Sequence, residues 1–355
     1  MIAFDVTPLQ NGHRTRGIGT YVRGLAAQLM TQDEVPIEFW GWADHRPFEV
    51  RPPHSGLWLP RGPTPRTRFP FLLRQAMGVR ARLSRARAFH ITDPNALIEP
   101  RGRRVMATVY DLIPLHRQSS SPAYRQYLAR LKSTRLMFAI SQATADDLVT
   151  SLGVAPERIT VARPGVRLPE LNEPVESPVK GPFFLYYGSP DPHKNLGVLL
   201  EAMKLVPDLK ERLVIAGDWP AEFVAKLLAD ADLQDRLTHL GYVSPGRLLS
   251  LLRSCTAVVM PSLIEGFGLP VAEAMAAGAA VIHSRLPVLE EVSRGCALTF
   301  PPASPAELAA CLRTLSLDGG LRQEMQDRGR RRAESMTWDE ALENTLRVYR
   351  EALDN

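Results

Sequence analysis

The sequence predicts an α/β protein of two doubly wound, Rossmann-like parallel-sheet domains that face a cleft. Three observations predict it. Strand-like apolar runs alternate with helical segments through residues 1–168, and the same rhythm restarts at residue 183. Between them, residues 169–182 carry four prolines and no apolar period, the composition of a linker. The 355 residues, 45% of them apolar, suffice for two domains that each bury a core.

The first half opens on a strand at residues 2–6 that carries an early acid, Asp5. Gly17-Ile18-Gly19-Thr20-Tyr21 starts a helix, and residues 37–41 form a second strand. A proline-rich stretch at 47–65 precedes a basic helix over 69–87. Strands follow at 88–91 and at 105–110, the latter running into Asp111. A helix at 123–135, a strand at 136–140, a helix opening at Ser141 and a strand at 159–162 close the half. The second half reads strand at 183–188, helix at 195–204, strand at 213–217 and helix at 221–231. Strands at 237–241, 257–260, 280–283 and 297–300 continue it. Ser304-Pro305-Ala306-Glu307 is a capping box with proline in the first helical turn. Residues 338–353 form a last amphipathic helix.

Composition narrows the function classes. Three scattered cysteines, Cys255, Cys296 and Cys311, make no disulfide framework or zinc cluster and fit a reducing cytoplasm. No segment approaches the roughly 18 apolar residues that span a bilayer, and the start does not read as a signal peptide. Residues 1–168 hold 24 Lys and Arg against 12 Asp and Glu, whereas the remainder is net acidic. The excess concentrates between Arg61 and Arg104, which points to an anionic partner. Few aromatics interleave these arginines, which argues against nucleic acid. The segment from Phe69 to Arg87, with an apolar stripe of Phe71, Leu72, Val79 and Leu83, is the candidate for peripheral membrane contact. The same stripe also reads as the core face of an ordinary crossover helix.

The most informative motif is Glu265-Gly266-Phe267-Gly268-Leu269-Pro270-Val271-Ala272-Glu273. It follows an apolar strand and precedes a small-residue helix that stops at Gly278. This places Glu265 on a loop, Glu273 in the first helical turn, and the amides of Gly266 to Leu269 between them. Helix-start amides suit phosphate oxygens, and carboxylates suit sugar hydroxyls.

Several segments in order resemble the GT-B glycosyltransferases of glycosyltransferase family 4, retaining enzymes, and in particular bacterial mannosyltransferase-like members that build surface polysaccharides. They are Gly17-Ile18-Gly19-Thr20-Tyr21-Val22, Val109-Tyr110-Asp111-Leu112-Ile113-Pro114 and Ala139-Ile140-Ser141-Gln142-Ala143-Thr144. Tyr187-Gly188-Ser189-Pro190-Asp191-Pro192-His193-Lys194-Asn195, His239-Leu240-Gly241-Tyr242-Val243 and Met260 to Gly278 complete the series. The resemblance implies a GT-B fold. An N-terminal acceptor-side domain would comprise residues 1–168 plus 338–355, with the last helix crossing back. A C-terminal donor domain would comprise residues 183–337.

The implied substrates are a nucleotide sugar, with GDP-mannose the leading donor, and a carbohydrate or lipid-linked acceptor. No cofactor and no metal are implied. The implied setting is the cytoplasm, or the inner face of the membrane. Lys194 would bind the donor diphosphate, Glu265 the transferred sugar and Glu273 the ribose. Gly266, Phe267, Gly268 and Leu269 would give amides to sugar and phosphates. Gly17 and Gly19 would let a helix start approach the diphosphate, and Val243 would line the base pocket.

Two positions depart from the pattern. Ser189, a donor-binding candidate, stands where many members have arginine, which leaves Lys194 more isolated or hands the task to His193 or another arginine. Tyr110 stands where many have histidine, and a phenol is a poor base near neutral pH. Tyr110 and Asp111 are acceptor-side candidates, Asp111 also reading as a strand-end cap, and His90 reads as structural. An epimerase of the same fold and a non-catalytic sugar-nucleotide-binding protein are the rival readings.

Overall fold

A computed structural model describes the chain except residues 15, 44–45, 60–83, 94–103, 118–121, 170–175, 178 and 355. The chain divides into two compact units, Met1–Gly165 with Thr337–Asn355, and Val166–Met336. The predicted helix over 69–87 lies largely outside the described residues. Residues 84–87 are described and are not helical. There Ser84 donates to the buried Glu38 carboxylate, and Ala86 is drawn into the core.

The first unit is a seven-stranded parallel sheet in the order β3-β2-β1-β4-β5-β6-β7. Its strands are β1 Ile2–Asp5, β2 Ile37–Trp42, β3 Ser55–Leu59, β4 Ala88–Ile91, β5 Arg104–Val109, β6 Leu136–Ala139 and β7 Ile159–Val161. β1, β2 and β4 are buried at every position, as a sheet covered on both faces requires. β3 lies inside the stretch read as proline-rich. Its Ser-Gly-Leu-Trp-Leu run carries too few apolar residues to stand out, and pairing with β2 makes it a strand.

The last helix, Trp338–Asp354, belongs to this unit. Its Trp338 ring lies 5.8 Å from Tyr21, on the helix Gly17–Leu29. A Cβ added at Gly24 would stand 2.1 Å from the same ring. Tyr349 Oη is 2.7 Å from His90 Nδ1, and His90 Nε2 is 2.7 Å from Thr108 Oγ1. His90 is fully buried and stacks on Phe138 at 4.4 Å, so its role here is structural. Burial holds its pKa down to about 3, which keeps the imidazole neutral.

The second unit is a six-stranded parallel sheet in the order β10-β9-β8-β11-β12-β13. Its strands are β8 Phe183–Tyr187, β9 Arg212–Ala216, β10 Leu237–His239, β11 Ala257–Met260, β12 Val281–Ser284 and β13 Leu298–Phe300. Three helices here had no sequence prediction: Pro245–Ser254, Pro287–Ser293 and Gly319–Glu334. Ser244 and Asp318 cap two of them by accepting from Arg247 N and Leu321 N. In both sheets the strand order reverses once, between β1 and β4 and between β8 and β11. Such reversal points are where open α/β sheets bind ligands.

Candidate active site

The second unit's reversal point carries the site. β8 and β11 are neighbours, so the loops after them emerge side by side. The β8 loop brings Lys194, the β11 loop Glu265. Lys194 Nζ donates to Glu265 Oε1 across 2.8 Å, with side chains only 16% and 9% exposed. Ser262 Oγ donates to the same carboxylate oxygen at 2.7 Å. Asn195, in the left-handed region at φ 54°, ties the loop down through Nδ2 to Pro261 O and Pro302 O. Leu263 N donates to His193 O at 2.8 Å, so the two loops are also joined through the backbone. Ser189 Oγ is turned onto Asp191 at 2.5 Å. Ser189 is therefore not paired with Lys194.

Gly268 begins the helix Leu269–Ala277 at φ 94°, and no side chain caps that helix. A Cβ at Gly268 would stand 2.4 Å from Leu289 Cδ2. Both the dihedral and the space therefore require glycine. Gly266 and Phe267 are buried in the turn. The helix starts two residues earlier than the sequence suggested, which moves Glu273 out of the first turn into the second. The carboxylate is held from the β8 side. Tyr187 Oη lies 2.7 Å from Pro270 O and 3.3 Å from Glu273 Oε2. Burial pushes the Glu273 carboxyl up to about 7, against the Tyr187 hydrogen bond. Val243 is half-buried on the loop between β10 and the helix Pro245–Ser254.

In the first unit, Gly17 is exposed at the uncapped start of the helix Gly17–Leu29. Gly19 answers to the chain's own loop: a Cβ there would stand 2.4 Å from His13 O, and its N–H already donates to that oxygen. Tyr110 and Asp111 follow β5. Asp111 Oδ1 accepts from Ile113 N at 3.0 Å, the geometry of a strand-end cap. Tyr110 is buried, and its hydroxyl has no hydrogen-bond partner among the described residues. Burial, together with nearby phenols and the Asp5 and Asp93 carboxylates, holds its pKa well above the ordinary value. Asp5 ends β1 and is fully buried. It accepts from Thr7 N, Thr7 Oγ1, Thr92 N and Asp93 N. Burial and the Asp93 carboxylate raise its pKa to about 6. Asp93 in turn accepts from Asn11 Nδ2 at 2.8 Å.

Two family models tile most of the chain. Residues 15–169 match Glycosyltransferase Family 4, and residues 169–332 match Glycosyl transferases group 1. The chain belongs to this glycosyltransferase family. The junction of the two matches lies four residues beyond Gly165, where the first unit breaks off. The chain is 34% identical over 227 residues to an MMP α-(1→4)-mannosyltransferase of Mycolicibacterium hassiacum, covering 61% of this chain and 54% of that protein. It is 30% identical over 206 residues to the O-antigen chain mannosyltransferase RfbU of Salmonella typhimurium, covering 56% and 57%. The matched segments thus span little more than half the length of these relatives.

Among solved structures, the sucrose-phosphate synthase of Thermosynechococcus elongatus superposes with a TM-score of 0.77 at 18% identity, covering 99% of both chains. The Anabaena protein HepE, solved in complex with UDP and glucose, superposes with a TM-score of 0.75 at 17% identity, covering 98% of both. These likenesses show the GT-B fold.

Sequence reasoning did not find Tyr187, Ser262, Asn195, Asp93 or the four-bond role of Asp5. Only Asp5 gave a signal, as an acid inside an apolar strand. Tyr187, Asn195 and Asp93 act on partners remote in sequence, and Ser262 reaches Glu265 three residues on through a loop turn that no local pattern marks. Among the described residues, no group of three or more His, Cys, Asp or Glu is placed to hold a metal ion. No described helix is long and apolar enough to cross a membrane.

Proposed function

We propose that the chain is a retaining hexosyltransferase that moves mannose from GDP-mannose onto a hydroxyl of a carbohydrate or lipid-linked acceptor. Surface polysaccharide or glycolipid synthesis is its setting. The observation that carries this reading is the Lys194–Glu265 pair at the reversal point of the second sheet, beside a helix start that no side chain caps. An ammonium and helix-start amides together offset the charge that grows on a leaving diphosphate, without a metal. The Glu265 carboxylate accepts hydrogen bonds from hydroxyls of the transferred sugar, and Glu273 accepts them from the ribose diol.

Transfer with retention follows from front-face attack, in which the leaving phosphate takes the acceptor proton. Mannose as the sugar is supported by the mannosyltransferase relatives, two of them O-antigen enzymes. HepE, solved in complex with UDP-glucose, keeps UDP donors as the rival. Tyr110 and Asp111 stand on the acceptor side of this scheme. The raised pKa of Tyr110 removes it as a base at neutral pH, which disfavours the epimerase reading.

Radiolabelled GDP-mannose, UDP-glucose and UDP-galactose, offered with and without a simple mannoside acceptor, test the proposal. Transfer or slow hydrolysis of GDP-mannose supports it, turnover of a UDP-sugar alone selects the rival donor, and a product anomer matching the donor supports retention. No turnover with any donor would refute it.

A further inference from the structure

The loop that carries Lys194 is shaped from beneath by two aromatic side chains. Trp219 Nε1 donates to Gly188 O at 2.7 Å, and Tyr186 Oη donates to Ser189 O at 2.9 Å. The two rings meet edge to face at 6.0 Å, so one aromatic pair holds two successive carbonyls. The approach needs glycine on both strands. Gly188 sits at φ 143°, and a Cβ at Gly217 would stand 2.2 Å from Gly188 O and 2.5 Å from Trp219 Nε1. The peptide unit is planar and trans, so turning Gly188 O toward the indole turns the Ser189 N–H the opposite way. The next peptide nitrogen belongs to Pro190 and carries no proton, so only its carbonyl matters, and Tyr186 occupies that carbonyl.

We infer that Trp219 and Tyr186 are positioning residues for the donor diphosphate. They withdraw two carbonyl oxygens that would repel phosphate and fix the loop that presents Lys194. This rests on the reading that the loop takes the diphosphate of a nucleotide sugar. It also assigns work to the loop's underside at the position where Ser189 brings no cation. The loop is held by neutral donors, and the ammonium it carries is that of Lys194.

The test uses Trp219→Phe, which keeps a ring and removes the N–H, and Tyr186→Phe, which removes only the O–H. GDP and UDP are titrated calorimetrically into each protein, with guanosine and uridine as controls, and hydrogen exchange is followed over residues 188–195. Each variant is expected to bind the preferred nucleoside diphosphate about tenfold more weakly, the effect of losing one well-made hydrogen bond. The nucleosides should bind unchanged, and exchange in the loop should rise. The double variant should lose less than the product of the two single losses, because both bonds hold one loop. Equal loss for nucleoside and diphosphate would overturn the inference and place Trp219 at the base. Faster exchange with diphosphate affinity unchanged would also overturn it, as would unchanged exchange. A wild-type protein that binds neither GDP nor UDP refutes the donor reading instead, and the exchange data then judge the clamp alone.

Discussion

Lys194 and Glu265 neutralise each other across 2.8 Å, with both side chains largely withdrawn from water. Removing one partner of such a pair leaves the other as an uncompensated, poorly solvated charge. The pair therefore acts as a unit, and variants in it should not be additive.

Lys194→Ala and Glu265→Ala are each expected to lower kcat for GDP-mannose turnover by about a hundredfold or more, the scale of losing one transition-state contact. The double variant should fall close to the worse single one. Steady-state kinetics on the three proteins check this, and a double variant equal to the product of the single losses would contradict it.

Glu273→Ala should instead raise donor KM with a smaller effect on kcat, since a ribose contact is the same in ground and transition states. The reverse split between Glu265 and Glu273 would show that the two roles are exchanged.

Donor binding should depend on pH through Glu273. Its carboxyl titrates at about 7, and only the ionised form accepts a hydrogen bond from both ribose hydroxyls. Donor affinity should therefore rise from about pH 6 to about pH 8 and then level off, and Glu273→Gln should flatten the profile. Stability runs the other way. The folded pKa lies above the unfolded value of about 4.3, so this group's contribution is full below that value and is lost as pH rises through about 7. Calorimetric titration and thermal melts across this range check both signs.

His90 should make the first unit acid-sensitive. Its folded pKa, about 3, lies below the unfolded value of about 6.5. Its contribution is present above about pH 6.5 and is lost as pH falls toward 3, by at most about 1.4 kcal/mol per pH unit. His90→Ala should cost about 2–4 kcal/mol through two lost hydrogen bonds and a cavity against Phe138. Its melting temperature should then vary less with pH than the wild-type value.

Gly24→Ala should destabilise the first unit by about 1–3 kcal/mol, because the new methyl meets the rigid Trp338 ring. The companion variant Trp338→Phe should recover part of the loss. Chemical denaturation of the two proteins, followed by Trp fluorescence and circular dichroism, checks this.

What could be read from the sequence follows the physics of local pattern. The two reversing sheets were legible because buried parallel strands are continuous apolar runs, as in β8 and β11. The Glu265 loop was legible because a strand, two glycines, a proline and a small-residue helix lie within one short segment. The Lys194–Glu265 bond was not, because it spans 71 residues and needs β8 beside β11. The Tyr187 contact to Glu273 spans 86 residues and was hidden for the same reason. Gly19 was read as letting a helix start approach a diphosphate, and in the structure the demand for glycine there comes from His13 O in its own loop. That is a close approach of backbone to backbone, which a Gly-x-Gly pattern does not distinguish from a ligand.

The return of the helix Trp338–Asp354 to the first unit has a consequence for biosynthesis. A ribosome makes residues 166–336 before it makes the segment that covers Tyr21 and His90. The first-made unit therefore waits, with part of its apolar surface uncovered, while the second is translated and can already close its own core. Folding order is thus inverted relative to synthesis order, and the interval is when the nascent chain most needs a chaperone.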